Sequence, residues 1–144
     1  MATPTRWAGW IEPRAAMTGA TVTISSTTVT PLAGATITVT PHSNVRVCVP
    51  YGADVECTAL LTVSVLTVRC LLDGVAFSPM VNFKAPLLGM RTMLTGFAHF
   101  DLLANTAYTL TMAASCSGTG STYSIFALHS GLGPVITETR LHPP

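Results

Sequence analysis

The feature that most constrains this chain is a period-two alternation of apolar and hydroxyl-bearing residues, running from Thr21 onward with hardly a charge in it. Alternation at every second residue sorts side chains onto the two faces of a pleated strand, one toward a core and one toward solvent. Thr and Val dominate these stretches, and both favour strands because branching at Cβ suits a pleated surface. Residues 21–25 (Thr-Val-Thr-Ile-Ser), 35–40 (Ala-Thr-Ile-Thr-Val-Thr, stopped by Pro41) and 44–49 (Asn-Val-Arg-Val-Cys-Val, stopped by Pro50) carry Val or Ile on one face and polar groups on the other. That pattern predicts half-buried antiparallel strands.

Residues 60–72 form the longest strand candidate. Val63 and Val65 fall on one face, and Leu66, Val68, Cys70 and Leu72 on the other. With both faces partly apolar, this strand is expected to be central or interface-facing. Asp73-Gly74 follows between two apolar runs, a hairpin signal because both turn positions need positive φ. Residues 78–93, with Pro79, Pro86 and Gly89, read as a long loop holding short strand pieces. Its methionines (Met80, Met90, Met93) read as adaptable packing. Further strands are predicted over 94–102, 106–113, 122–129 and 135–141, with residues 117–121 (Ser-Gly-Thr-Gly-Ser) as a turn. Within 106–113, Tyr108, Leu110 and Met112 point inward and Thr109 and Thr111 outward. No helix and no internal repeat is evident. Many short strands with turn signals about every 8 to 12 residues indicate a β-sandwich or barrel. The long central strand and long loops favour a jelly roll, and both tryptophans precede the strands, so no immunoglobulin Cys…Trp…Cys pattern exists. The expected fold is all-β: a jelly-roll β-sandwich over residues 21–144 behind an extended N-terminal arm, residues 1–20.

The arm carries Trp7, Trp10, Pro4, Pro13, Arg6 and Arg14 without sustained periodicity. Its Trp7-Ala8-Gly9-Trp10-Ile11 stretch is too apolar to rest in water, so the arm is expected to dock on a neighbour. The rest of the composition points the same way. Charged residues make up 9% of the chain, against about 25% in an ordinary soluble domain. So few charges leave a monomer's surface poorly protected against association. No membrane span accounts for the surplus. The longest apolar run, 59–72, is shorter than the roughly 20 residues a span needs, and Thr62, Ser64, Thr67 and Arg69 interrupt it. The first residues lack the apolar core of a secretory signal, so cytosolic synthesis is expected. A net charge of +1 with scattered basic residues argues against nucleic acid as a partner. The surface is therefore expected to be covered by further copies or by another protein, as in a structural assembly subunit.

Catalytic chemistry has little to stand on. Cys48, Cys57, Cys70 and Cys116 form no Cys-x-x-Cys pair, which leaves zinc and redox motifs unsupported. They read as buried thiols, with a Cys48–Cys57 bridge across a loop as the alternative. Asp54 and Glu56 read as an exposed acidic loop, and a glycosidase needs two carboxylates facing each other across a cleft. His99 and Asp101 share one strand face, but two ligands are not a metal site. Residues 115–120 (Ser-Cys-Ser-Gly-Thr-Gly) match neither a nucleophile elbow nor a phosphate loop. The chain is expected not to be an enzyme, and no catalytic residue, metal or cofactor is assigned.

Three stretches resemble a known family: Leu71-Leu72-Asp73-Gly74, residues 100–110 (Phe-Asp-Leu-Leu-Ala-Asn-Thr-Ala-Tyr-Thr-Leu), and residues 123–128 (Tyr-Ser-Ile-Phe-Ala-Leu) with the strand after them. They resemble the small jelly-roll modules of tailed-phage virions, which are similar in fold to tumour-necrosis-factor and complement-C1q domains and are usually trimers. Asn105 stands where those modules have Gly in a Leu-x-Ala-Gly turn, and Asn tolerates the left-handed conformation. The resemblance spans about residues 35–140 and implies a virion structural protein. The leading expectation is a homotrimeric capsid decoration protein on the virion surface that binds the major capsid protein and braces the assembled head. Trp7, Trp10, Ile11 and Arg14 would form its shell-binding arm, because buried Trp and Arg are common interface anchors. Val63, Val65, Leu66, Val68, Phe97 and Tyr108 would form its trimer interface. The alternative is a tail, baseplate or head-spike module binding host-surface glycans, against which the few loop aromatics (Tyr51, Phe77, Phe83) weigh. A hydrolase, a third reading, finds almost no support.

Overall fold

The computed structural model describes residues 14–19, 21–60, 64–76, 80–85, 87–117 and 120–139. Every regular element among them is a strand, and two antiparallel sheets stack into a sandwich. The front sheet is built on β4 (Val45–Ala59), a 15-residue strand. On one side β4 pairs with β8 (Arg91–Leu102), in unbroken register from Val45 opposite Leu102 to Glu56 opposite Arg91. On its other side β10 (Thr122–Leu132) and β11 (Val135–Thr139) follow one another along a single lane. Outside β10 lie β1 (Ala15–Ala16) and β2 (Thr21–Ile24), again in one lane. The back sheet runs β3 (Thr30–Val39), β9 (Tyr108–Cys116), β5 (Leu66–Leu72), and then β6 (Val75–Ala76) and β7 (Val81–Phe83), which share a lane beside β5. Each sheet thus has four lanes. The chain visits them in the order front, back, front, back, back, front, back, front, a jelly roll.

The core follows from the alternation. On β4, Val45, Val47, Val49, Tyr51, Ala53, Val55 and Cys57 point between the sheets and are buried. Opposite them, Leu66, Val68 and Cys70 of β5 and Leu110, Met112 and Ala114 of β9 close the same core. Tyr123 of β10 is fully buried. Its hydroxyl donates to the Ser64 carbonyl at 3.1 Å and lies 3.0 Å from the Ser64 hydroxyl, so its polar end is satisfied.

Two turns carry the expected chemistry. Asp73 and Gly74 both have positive φ, 50° and 82°, and pair Leu72 with Val75. The Asp73 carboxylate accepts the Thr109 N–H at 2.7 Å, tying this hairpin to β9. Asn105 is left-handed at φ 58°, and its N–H donates to the Pro41 carbonyl at 2.7 Å.

Several expectations need correction. The sandwich starts at Ala15, not Thr21: Ala15 and Ala16 pair with Leu132 and Gly131, and Met17 is buried in the core. Gly131 permits this approach, because a Cβ there would meet the Ala15 carbonyl oxygen at 2.5 Å. Pro50 does not end a strand; β4 runs through it. In an antiparallel ladder a residue's N–H and C=O point to the same neighbour. The Pro50 carbonyl accepts from Gly133 at 3.1 Å, between β10 and β11. The missing N–H of Pro50 therefore faces the break in that lane and costs no ladder bond. Asp54 and Glu56 consequently lie on β4 rather than in a loop. Cys48 and Cys57 lie nine residues apart on the same extended strand, which rules out a bridge between them. Residues 60–72 are not one strand, since the chain passes from front to back sheet before β5 begins at Leu66. Of the described residues at the crossing, Ser64 is buried and Leu60 and Val65 are half-buried. Strand β8 starts at Arg91 inside the expected loop, and β3 starts at Thr30 rather than at residue 35, with a register shift between Pro31 and Thr36.

The left-handed turn gives a direct test. Asn105→Val puts a β-branched side chain in a conformation that costs roughly 1–2 kcal/mol, so its thermal midpoint is expected several degrees below that of the parent. Asn105→Gly, which adopts this conformation freely, is expected to melt close to the parent. Equal melting of the two variants would show that the turn does not depend on this backbone geometry.

Candidate association surface

The outward face of the front sheet is set by the same parity. On β4 it carries Arg46, Cys48, Pro50, Gly52, Asp54 and Glu56. Opposite them on β8 stand Asp101, His99, Phe97, Thr95, Met93 and Arg91, all exposed. Two ion pairs lie on this face. Arg46 and Asp101 face each other across the strands, with Nε–Oδ1 at 2.9 Å. Arg91 grips Asp54 with two hydrogen bonds, at 3.0 and 2.8 Å. Its guanidinium carbon sits 3.9 Å from the Phe126 ring centroid. The Asp54 N–H donates to the Ser130 hydroxyl at 3.0 Å, and that hydroxyl donates to the Phe126 carbonyl at 2.7 Å. The Arg91 hydrogen bonds hold the Asp54 carboxyl below the usual carboxylate range, against the opposing effect of burial, with the charges of Arg91 and His129 adding to the lowering.

Between the paired charges Met93 and Phe97 stand exposed on β8, alternating with Thr95 and His99. Among the described residues, ten large hydrophobic side chains are exposed, and six of them (Leu87, Leu88, Met90, Met93, Phe97, Leu103) lie on β8 or flank its ends. Phe97 is 56% exposed in mid-strand. Among the described residues β8 pairs with β4 alone, so its other edge presents unpaired backbone groups. A long, regular edge strand with apolar side chains is the kind of surface that proteins ordinarily cover or interrupt. No bulge breaks the register of β8, and no proline or lysine lies in it.

The residues assigned from sequence divide accordingly. Phe97 lies on this surface. Tyr108 is half-buried at the start of β9, where its hydroxyl accepts the Leu103 N–H at 3.0 Å beside the C-terminal end of β8. Leu66 and Val68 are 0% and 1% exposed within one chain, so they belong to the core and not to a trimer surface. They fail as surface residues because the inward face of β5 packs on the front sheet. Val65 is half-buried, and its N–H donates to the Ser117 hydroxyl at 2.9 Å. Val63 lies outside the described residues, as do Trp7, Trp10 and Ile11. Arg14 is described and exposed, immediately before β1. Sequence reasoning missed Leu87, Leu88 and Leu103 because isolated apolar residues near turns carry no periodic signal. It also missed the Arg91–Asp54 pair, whose members are 37 residues apart.

His99 stands opposite Cys48, and the neighbouring Asp101 is engaged by Arg46. No group of three or more His, Cys, Asp or Glu among the described residues is placed to hold a metal ion. The four cysteines are free thiols. Burial pushes the Cys70 thiol up to about 12 and raises Cys48 and Cys57 as well.

Two predictions follow from this geometry. A carboxyl lowered in the folded state contributes stability that is full above its ordinary value, about 3.9, and is lost as pH falls through the folded value. The parent is therefore expected to lose thermal stability on acidification below about pH 4 more steeply than Asp54→Asn; parallel curves would contradict the pairing. In a thiol titration of the folded protein, the half-buried Cys48 is expected to react first. Cys57, Cys70 and Cys116 should react only on unfolding, and early labelling of Cys70 would contradict its place in the core.

No protein-family model matches the chain, and no curated protein sequence matches it. Among solved structures, Eiger TNF from S. frugiperda aligns with a TM-score of 0.56 at 11% identity, over 92% of this chain and 97% of that one. Latent PorU from Porphyromonas gingivalis aligns at a TM-score of 0.40 and 12% identity, over 94% of this chain and 14% of that one. A beta-glucosidase from Paenibacillus barengoltzii aligns at 0.33 and 14% identity, over 67% of this chain and 10% of that one. The first likeness covers nearly the whole of both chains. It shows that this chain has a TNF-like jelly-roll fold.

Proposed function

We propose that this protein is a virion structural subunit: a trimeric decoration protein that binds an assembled phage head and stabilises it. The observation that carries the proposal is β8 with its flanks, where, among the described residues, six of the ten exposed large hydrophobics gather and the strand pairs with β4 alone. Burying such a surface between copies removes apolar area from water at about 25 cal/mol per Å². It also covers an edge that otherwise invites uncontrolled pairing. The low charge of the chain supports the same reading, and the virion resemblance of residues 71–74, 100–110 and 123–128 directs it to phage heads. Phe97 is the central residue of the proposed trimer contact, with Tyr108 beneath Leu103 at its end.

In this reading the segment bearing Trp7, Trp10, Ile11 and Arg14 contacts the major capsid protein. A ligand that binds only the assembled shell stabilises it by mass action, about 2.7 kcal/mol per site at a hundredfold excess over its dissociation constant. The test is cosedimentation with purified heads that lack the protein. A deletion must stop at Pro13, because Ala15 and Ala16 are part of the front sheet. The chain lacking residues 1–13 is expected to fold, to keep the parent's oligomeric state, and to stay in the supernatant while the heads pellet. Undiminished binding would remove the arm from the account. Failure of the intact chain to bind heads would overturn the function.

A further inference from the structure

Four connections join strands at one end of the sandwich: residues 25–29 between β2 and β3, 60–65 between β4 and β5, 84–90 between β7 and β8, and 117–121 between β9 and β10. Register puts them at the same end, since Ala59 pairs with Thr122, Leu66 with Phe83 and Cys116, and Glu56 with Arg91. The sequence of these connections holds no Asp or Glu, and Lys84 is its single charge. Among the described residues the acids nearest this end lie on β4. Asp54 is gripped by Arg91, and Glu56 stands opposite Arg91. The other end differs, with Asp73 in its hairpin and Asp101 at the close of β8.

The acid-free end carries a turn, Leu87-Leu88-Gly89-Met90. The Met90 N–H donates to the Leu87 carbonyl at 3.4 Å, and Gly89, third in the turn, has φ 80°, as a type II turn requires. The turn is pinned to β4 through both backbone groups of Cys57. The Gly89 N–H donates to the Cys57 carbonyl at 2.8 Å, and the Cys57 N–H donates to the Met90 carbonyl at 3.0 Å. This fixed backbone holds two adjacent leucines off the core, Leu87 at 66% and Leu88 at 64% exposed. Met90 and Val29 are exposed apolar residues of the same end.

We infer that this end of the sandwich docks on a lipid bilayer, with Leu87 and Leu88 inserted among the acyl chains. Charge favours lipid. An end without acids meets no repulsion from lipid phosphates, and Lys84, exposed in the same connection, can reach them with its ammonium while its stem lies on apolar ground. The backbone favours it too. Polar groups that enter hydrocarbon must be satisfied internally, and the three hydrogen bonds of the turn bind both backbone groups of Met90, the Leu87 carbonyl and the Gly89 N–H. Shape is the third argument. Two projecting leucines on a fixed turn need no matching pocket in a bilayer, where binding grows with the apolar area buried. The turn precedes β8, so seating it in lipid leaves Met93 and Phe97 free for contact between copies. The lipid surface belongs to one chain and does not rest on that contact or on binding to a phage head.

The experiment is flotation of the full chain with phosphatidylcholine vesicles. Insertion predicts that the parent floats with the vesicles, and still does so in about 1 M salt, which screens charges within about 3 Å. The double variant Leu87→Ser, Leu88→Ser changes only exposed side chains and is expected to keep the parent's thermal midpoint. Its vesicle binding is expected to fall about a hundredfold, at about tenfold for each leucine withdrawn from lipid. Val75→Ser, which removes an exposed apolar side chain at the other end, is expected to bind as the parent does. A parent that ignores the vesicles would overturn the inference and assign the turn to a pocket on another protein. Flotation lost in high salt would also overturn it, since that marks adsorption by charge. So would undiminished flotation of the double variant, which would place the lipid contact elsewhere in the chain.

Discussion

Everything on the front sheet depends on the pairing of β4 along both its edges. Its 15 residues meet β8 on one side and the β10–β11 lane on the other. That arrangement buries one face of β4 as a column of Val, Tyr, Ala and Cys. It commits the other face, with that of β8, to the outside. It also makes β8 a margin: held firmly by β4, and unpaired on its far side among the described residues. Pro50 shows how far the arrangement is built in, because its missing donor coincides with the break between β10 and β11. A continuous partner strand at that point would leave an acceptor without a donor.

The two outer faces of the sandwich meet water differently. The back sheet is dressed with hydroxyl and amide groups that satisfy one another across strands. Thr36 and Thr111 are 2.9 Å apart, and Thr67 donates to Asn82 at 2.8 Å. Threonine serves there where charge would in most soluble domains, which reconciles a low-charge chain with an aqueous surface. The front sheet ties up four of its charges in the Arg46–Asp101 and Arg91–Asp54 pairs, and Met93 and Phe97 stand exposed between them. The exposed Arg46–Asp101 pair adds little to stability. The two pairs hold four side chains in place, while Phe97 and Leu128 stay exposed at 56% and 84%. The asymmetry argues for one sheet turned to neighbours and the other to solvent.

Much of the fold was legible wherever a local rule was strong. Alternation located β2, the later half of β3, the first half of β4, and β9 with its inward Leu110 and Met112. Asp73-Gly74 and Asn105 marked turns because few residues accept positive φ. The failures came where local and tertiary signals part. Pro50 reads as a strand stop unless the gap in a partner 83 residues away is known. Residues 60–72 read as one strand because apolar residues before a strand look like the strand itself, and only the sheet pairing shows that it begins at Leu66. Leu66 and Val68 looked like interface residues because apolarity records burial, not what does the burying. Phe97 was legible as an apolar residue on a strand, but its exposure depended on which parity of β8 faces the core, and register alone decides that.

The central claim is that the apolar β8 edge drives association between copies. It is tested most directly by the mass of the purified protein in solution, from light scattering over a range of concentrations, beside Phe97→Asp. The account predicts a trimer for the parent and a folded monomer for the variant, since a charge at a self-contacting apolar centre is costly to bury. A parent that stays monomeric at every concentration, or a variant that stays trimeric, would contradict it.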